Sequence, residues 1–153
     1  MLKHFSLIRS AVFLGLLFLS AAALAGETFR WDRLIIVTGG NEHSFRVEIA
    51  ETPDQHTQGL QHRRNLDSDA GMLFVFQTLE PAVMWMKNTY VPLDMLFIAA
   101  DGRVLNIARD TTPLELTPVP SRGSVRGVLE IRAGTAAKLG IKAGDKVHHP
   151  IFQ

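Results

Sequence analysis

The sequence predicts a mainly β, β-rich α+β domain: a compact antiparallel barrel or sandwich of about seven or eight short strands with two short helices. Three observations carry that expectation. Short segments rich in β-branched and aromatic residues recur along the chain, separated by Gly, Pro, Asn and Asp turn chemistry. Helix-start and helix-stop signals mark only two stretches, and no strand–helix alternation is visible. The chain is 46% apolar and 20% charged over 153 residues, which suits one packed domain and is too hydrophobic for disorder.

Lys3, His4 and Arg9 precede an apolar run, Ala11 to Leu19, and the ending Ala23-Leu24-Ala25. A basic start, an apolar run and an A-x-A ending form the layout of a secretory signal. Residues 1–25 are therefore expected to be a signal peptide cut after Ala25, and 26–153 a single domain in the periplasm or outside the cell. The apolar stretch is short of the roughly 20 residues a spanning helix needs, so no stable membrane span is expected after cleavage.

Arg33 to Thr38 reads as a strand, Gly39-Gly40-Asn41 as its turn, and Ser44 to Ala50 as the hairpin partner. In that partner Phe45, Val47 and Ile49 face one way, and Arg46 and Glu48 the other. Thr52-Pro53-Asp54-Gln55 combines a cap, a first-turn proline and a capping-box glutamine, and predicts a helix reaching about Arg63. Met72 to Phe76, Ala82 to Lys87 and Leu93 to Ala99 are apolar on both faces and read as central strands. Asp101-Gly102 turns into a strand from Arg103 to Ala108. Thr111 to Ser121, with Pro113, Pro118 and Pro120, reads as a loop. Gly127 to Arg132 reads as a strand, Ala133 to Leu139 as a helix closed by Gly140, and Lys146 to His149 as a last strand.

Several function classes are excluded or unsupported. There is no cysteine, so disulfides, Cys-ligated zinc and thiol catalysis are impossible. Sixteen basic residues balance 15 acidic ones, which gives no electrostatic footprint for nucleic acid. No hydrolase, phosphate-loop or dinucleotide motif appears, and no cofactor is indicated. His56 and His62 lie six apart and His148-His149 are adjacent in a strand, spacings that do not chelate one metal. Met84-x-Met86 beside Trp85 could offer soft ligands to copper, but Met and Trp on a central strand serve more often as core.

One segment concentrates polar chemistry: Met84 to Asp94, MWMKNTYVPLD. Lys87, Asn88 and Thr89 place a cation, an amide and a hydroxyl where a strand ends, and Asp94 opens the next strand among Leu93, Met95, Leu96 and Phe97. A carboxylate so flanked must be satisfied by a backbone amide, Lys87 or Arg63. Three readings compete. The polar groups tie down a crossover, or they line a pocket walled by Trp85, or Asp94 and Glu130 act as acid and base. Glu130 interrupts the apolar strand Val128-Leu129-Glu130-Ile131; it faces solvent beside Arg126 or Arg132, or belongs to the same site.

The stretches Gly71-Met72-Leu73-Phe74-Val75-Phe76, Met84-Trp85-Met86-Lys87-Asn88-Thr89, Pro92-Leu93-Asp94-Met95, Val128-Leu129-Glu130 and Gly144-Asp145-Lys146-Val147 resemble the domain of unknown function 192 family. These are small bacterial and archaeal proteins, often exported. The resemblance runs from about Phe45 to Val147 and implies a single mainly β domain with short helices, but no established activity. The chain departs from the family pattern in the first helix. Gln61 follows Leu60 where a Met is usual, and His56 and Gln58 stand where an arginine is frequent.

The combined expectation is a non-catalytic envelope domain that binds a small polar or carbohydrate-like ligand. Its candidate site is Arg63, Trp85, Lys87, Asn88, Thr89, Asp94 and Glu130. The alternatives are a hydrolase using Asp94 and Glu130 as a carboxylate pair, and a protein-interaction module built on apolar surface around the Pro-rich loop.

Overall fold

The computed structural model describes residues 26–153. The expected signal segment lies outside the described residues. Among the described residues, no helix is long and apolar enough to cross a membrane.

Seven strands form one sheet: β1 (Arg30–Thr38), β2 (Asn41–Ala50), β3 (Ala70–Met84), β4 (Leu93–Ile98), β5 (Val104–Ala108), β6 (Val119–Arg132) and β7 (Lys146–His148). Their order is β5-β4-β6-β3-β2-β1-β7. Two short helices, α1 (Pro53–Gln58) and α2 (Thr135–Leu139), and a closing 3-10 turn (Pro150–Phe152) complete the fold. The sheet curls into a half-barrel. Its two edge strands meet at one end, where Arg103 bridges Lys146 and Val104 N–H donates to Asp145 O at 2.9 Å.

The predicted mainly antiparallel β architecture is present, with one exception. β2 and β3 run parallel, joined through α1, so the chain holds a strand–helix–strand crossover that its hydrophobic pattern did not announce. Three predicted segments also differ in extent. Met72 to Phe76 and Ala82 to Lys87 belong to one long strand, β3, interrupted by an irregularity between Val75 and Glu80. β6 starts at Val119, inside the predicted Pro-rich loop, and Pro120 pairs opposite Val83 where β3 is itself irregular. Finally, α1 has the predicted capping box but stops at Gln58 rather than near Arg63. Gly59 stops it by taking φ +46, and a Cβ there would sit 3.1 Å from the Phe74 ring.

Two apolar cores lie on opposite faces of the sheet. One gathers Leu34, Ile36, Phe45, Val47, Leu73, Leu96, Leu129 and Ile131, under α2 and Phe152. The other gathers Met72, Phe74, Met86, Leu93, Met95, Phe97 and Val128, covered by Leu60 and Leu66 of the crossover. Residues 70–75 of β3, all of β4 and residues 127–131 of β6 are therefore buried on both faces, as the apolar runs Met72 to Phe76 and Leu93 to Ala99 predicted. Ala82 to Lys87 does not follow the same prediction, since Val83, Trp85 and Lys87 are exposed on its open side. β2 departs from its predicted half-exposed pattern. Arg46 is exposed, but Glu48 is buried beneath the crossover and pairs with Arg63 at 2.5 Å.

Asp94 is fully buried, and its role is structural. α2 begins at Gly134 in the left-handed region with no capping side chain of its own. The Asp94 carboxylate supplies the missing cap: Oδ2 accepts from Ala136 N–H at 2.8 Å, and Oδ1 accepts from Asp110 N–H at 2.9 Å. Of the three partners expected from sequence, backbone amides hold Asp94, and neither Lys87 nor Arg63 does. Asp94→Asn turns an amide N–H toward one of these donors. The variant is expected to lose roughly 1–3 kcal/mol of stability, measured by urea unfolding, because one buried and one part-buried N–H depend on this one carboxylate.

Candidate functional site

A cleft opens between α1 and the segment that follows β3. Its outer groove, about 410 Å³, is lined by His56, Gln61, Phe76, Val83, Met84 and Trp85 among others. It continues into an inner chamber of about 30 Å³ that reaches Leu60, Thr89 and Glu130. His56, Phe74, Trp85 and Lys87 line both parts.

One wall is the end of α1. His56 stands with its ring 5.8 Å from Phe74 and 5.1 Å from Phe76, and its Nε2 donates to Ala50 O at 3.0 Å. The other wall is the Met86–Thr89 turn, closed by Thr89 N–H on Met86 O at 3.1 Å. Asn88 takes φ +54 in this turn, a conformation Asn tolerates better than most residues. Its Nδ2 donates to Gln61 Oε1 at 3.0 Å, and its carbonyl accepts from His62 N–H at 2.8 Å. Asn88 thus ties the two walls together.

Trp85 is exposed at the mouth, with the Lys87 ammonium 5.4 Å from its ring centroid. Tyr90, Leu114 and Leu116 are exposed nearby in sequence or through backbone pairing, because Leu114 N–H donates to Thr89 O and Met86 N–H to Glu115 O. Met86 itself is buried; its sulfur accepts from Thr111 Oγ1 at 3.2 Å, which makes it core rather than a metal ligand. Among the described residues, no group of three His, Asp or Glu could hold a metal ion.

Glu130 lies at the inner end. It sits on β6 opposite Met72 of β3 and Met95 of β4, on the face of the second core, and is only 4% exposed. Among the described residues its carboxyl has no ion pair or hydrogen-bond partner, and burial pushes it up from 4.5 to about 8. The solvent-facing reading with Arg126 or Arg132 does not hold. Arg126 donates instead to Phe76 O and Gln77 O, and Arg132, on the same face, is exposed at the end of β6 and makes no ion pair with Glu130.

Of the residues predicted as a site, the structure brings Trp85, Lys87, Thr89 and Glu130 together. It does not bring Arg63, which pairs with Glu48, or Asp94, which caps α2. Asn88 frames the cleft without lining it. Asp94 pairs across the ladder with Ile131 of the first core, whereas Glu130 faces the second, so the two carboxylates lie on opposite faces of the sheet and form no hydrolytic pair. His56, Thr57 and Gln61 were missed by sequence reasoning. Their only signal was polarity along the inner side of a helix whose true length was hidden.

One curled, mainly antiparallel sheet with a core on each face and a cleft at the crossover defines a β-rich half-barrel class. The chain belongs to the DUF192 family, whose model, described as "Uncharacterized ACR", matches residues 34–149. Two solved structures share the fold. A protein of Sinorhizobium meliloti 1021, provisionally described as a transcription regulator, is 42% identical with a TM-score of 0.78, covering 81% of this chain and 97% of that one. A protein of unknown function from Novosphingobium aromaticivorans DSM 12444 is 40% identical with a TM-score of 0.76, covering 78% of this chain and 85% of that one. No curated protein matches the chain.

Two measurements test this geometry. Asn88→Gly and Asn88→Ala both lose the tie to Gln61, but Gly keeps the left-handed turn whereas Ala strains it. The alanine variant is expected to be less stable than the glycine variant by about 1 kcal/mol in thermal or urea unfolding. Glu130 is protonated in the folded protein and ionised in the unfolded chain between pH 4.5 and 8. The folded state then binds more protons, so stability falls as pH rises through that window. Relative to Glu130→Gln, the wild type should lose on the order of 1 kcal/mol per pH unit at the steepest, with the difference flat above about pH 8.

Proposed function

We propose that this protein is a non-catalytic, exported domain that binds a small polar ligand in the cleft between α1 and the Met86–Thr89 turn. Export rests on the basic, apolar and A-x-A pattern of residues 1–25. Binding rests on one observation above all: the Glu130 carboxyl is buried, unpartnered and open to the inner chamber of a cleft. A buried carboxyl with no protein partner, facing a cleft, is costly to keep, and a ligand that completes it supplies a reason for it. Trp85 offers the flat apolar wall and Lys87 a mobile charge at the mouth, the mixture that ligand pockets use. No nucleophile–base pair faces the chamber, which favours binding over hydrolysis. The regulator description of the Sinorhizobium neighbour finds no support in the charge of this chain, 16 basic against 15 acidic residues.

A screen of small polar compounds by ligand-observed NMR tests the reading. Hits are expected to lose at least about tenfold in affinity in Trp85→Ala, since stacking contributes on the order of 1 kcal/mol or more at such sites, and to change affinity in Lys87→Ala in the direction set by the ligand's charge. Melting temperatures should stay near wild type because both side chains are exposed. Hits that bind both variants unchanged would remove the cleft as the site.

A further inference from the structure

Several side chains that line the inner chamber have donors already committed to backbone carbonyls and present acceptors. His56 Nε2 lies against Ala50 O, and a carbonyl only accepts, so Nε2–H is the donor there. Thr57 Oγ1 donates to Pro53 O at 2.9 Å, and Thr89 Oγ1 donates to Lys87 O at 3.2 Å, leaving each hydroxyl with lone pairs. Gln61 donates to Thr57 O and accepts from Asn88, so its amide is engaged at both ends. Glu130 adds a carboxyl with no partner. The lining side-chain donors still uncommitted are the Gln58 amide nitrogen, the second N–H of Gln61 Nε2, the Trp85 indole N–H and the Lys87 ammonium, and the last sits over Trp85. The chamber, about 30 Å³, has room for a small head group.

We propose that the cleft takes a ligand ending in a primary ammonium group, which enters the inner chamber and pairs with Glu130 while an apolar body lies against Phe74, Met84 and Trp85 in the outer groove. This rests on the cleft being a ligand site and names the ligand class. An ammonium carries three donors and no acceptor, the complement of a chamber rich in acceptors. A carboxylate would add acceptors to acceptors, and an ammonium is the most compact cationic head group. On binding, the Glu130 carboxyl gives up its proton to the solvent, and the resulting carboxylate meets the ammonium as a buried, charge-assisted pair. The remaining titratable groups on the cleft are His56, Lys87 and Glu80.

The probe is n-hexylammonium, with 1-hexanol and hexanoate as controls of matched length, titrated into the purified protein and followed by NMR at the Glu130 carboxyl carbon and the Trp85 indole. Hexylammonium is expected to shift both signals and to bind at least about tenfold more tightly than either control. Its affinity should rise roughly tenfold or more from pH 6 to pH 8, because at low pH binding must first remove the Glu130 proton. Glu130→Gln, checked for an unchanged or higher melting temperature, should abolish both the preference and the pH dependence, and His56→Gln should keep them. Equal binding of the three probes, or a Glu130→Gln variant that still prefers the amine, overturns the ammonium assignment and leaves the cleft as a binding site. If no probe moves either signal, the assignment and the cleft reading both fall.

Discussion

A strand buried on both faces has no solvent side on which to place a polar residue. The inner stretches of β3 and β6 and all of β4 are buried in this way, packed between an apolar core under α2 and another under the crossover. Every polar group carried into this layer must therefore be satisfied inside the protein or left wanting. The strands carry two carboxylates, Asp94 and Glu130, and they meet opposite fates. Asp94 turns toward α2 and is spent on two backbone amides. Glu130, one rung away on the neighbouring strand, turns to the other face and finds only methionines, an aromatic wall and a small opening. The fold thus closes one polar site and leaves the other incomplete.

The opening exists because two short pieces of chain end early. α1 stops at Gly59, whose missing Cβ lets the helix end press against Phe74. β3 stops at Met84 and passes into a turn held by a left-handed Asn88. Asn88 then spans the gap to Gln61, so the width of the cleft depends on one side-chain amide. Close packing behind the chamber is set by Gly71, where a Cβ would come within 2.5 Å of the Glu130 carbonyl oxygen. The cleft is shaped by backbone as much as by the side chains that line it, and this suits a preorganised binding site.

Much of the domain was legible before any coordinates. The first hairpin, the capping box at Thr52, the both-face burial of Met72 to Phe76 and Leu93 to Ile98, and the helix closed by Gly140 all follow from short-range signals. The early stop of α1 was missed because its residues after Gly59 keep helix-compatible polarity, and the Phe74 ring that Gly59 accommodates lies across the crossover. The parallel β2–β3 pair was missed because six helical residues are too few to give a clear period.

Periodicity, turn chemistry and the absence of cysteine determined the fold class, the number of strands and the place along the chain where polar groups crowd against apolar ones, because each of these is written in neighbouring residues. The fate of those polar groups was decided only in three dimensions. Asp94 and Glu130 look alike in sequence, each a lone carboxylate in an apolar strand. What separates them is which face of the sheet each side chain takes, and whether that face meets free backbone amides or a cleft. That depends on strand register and on segments tens of residues away.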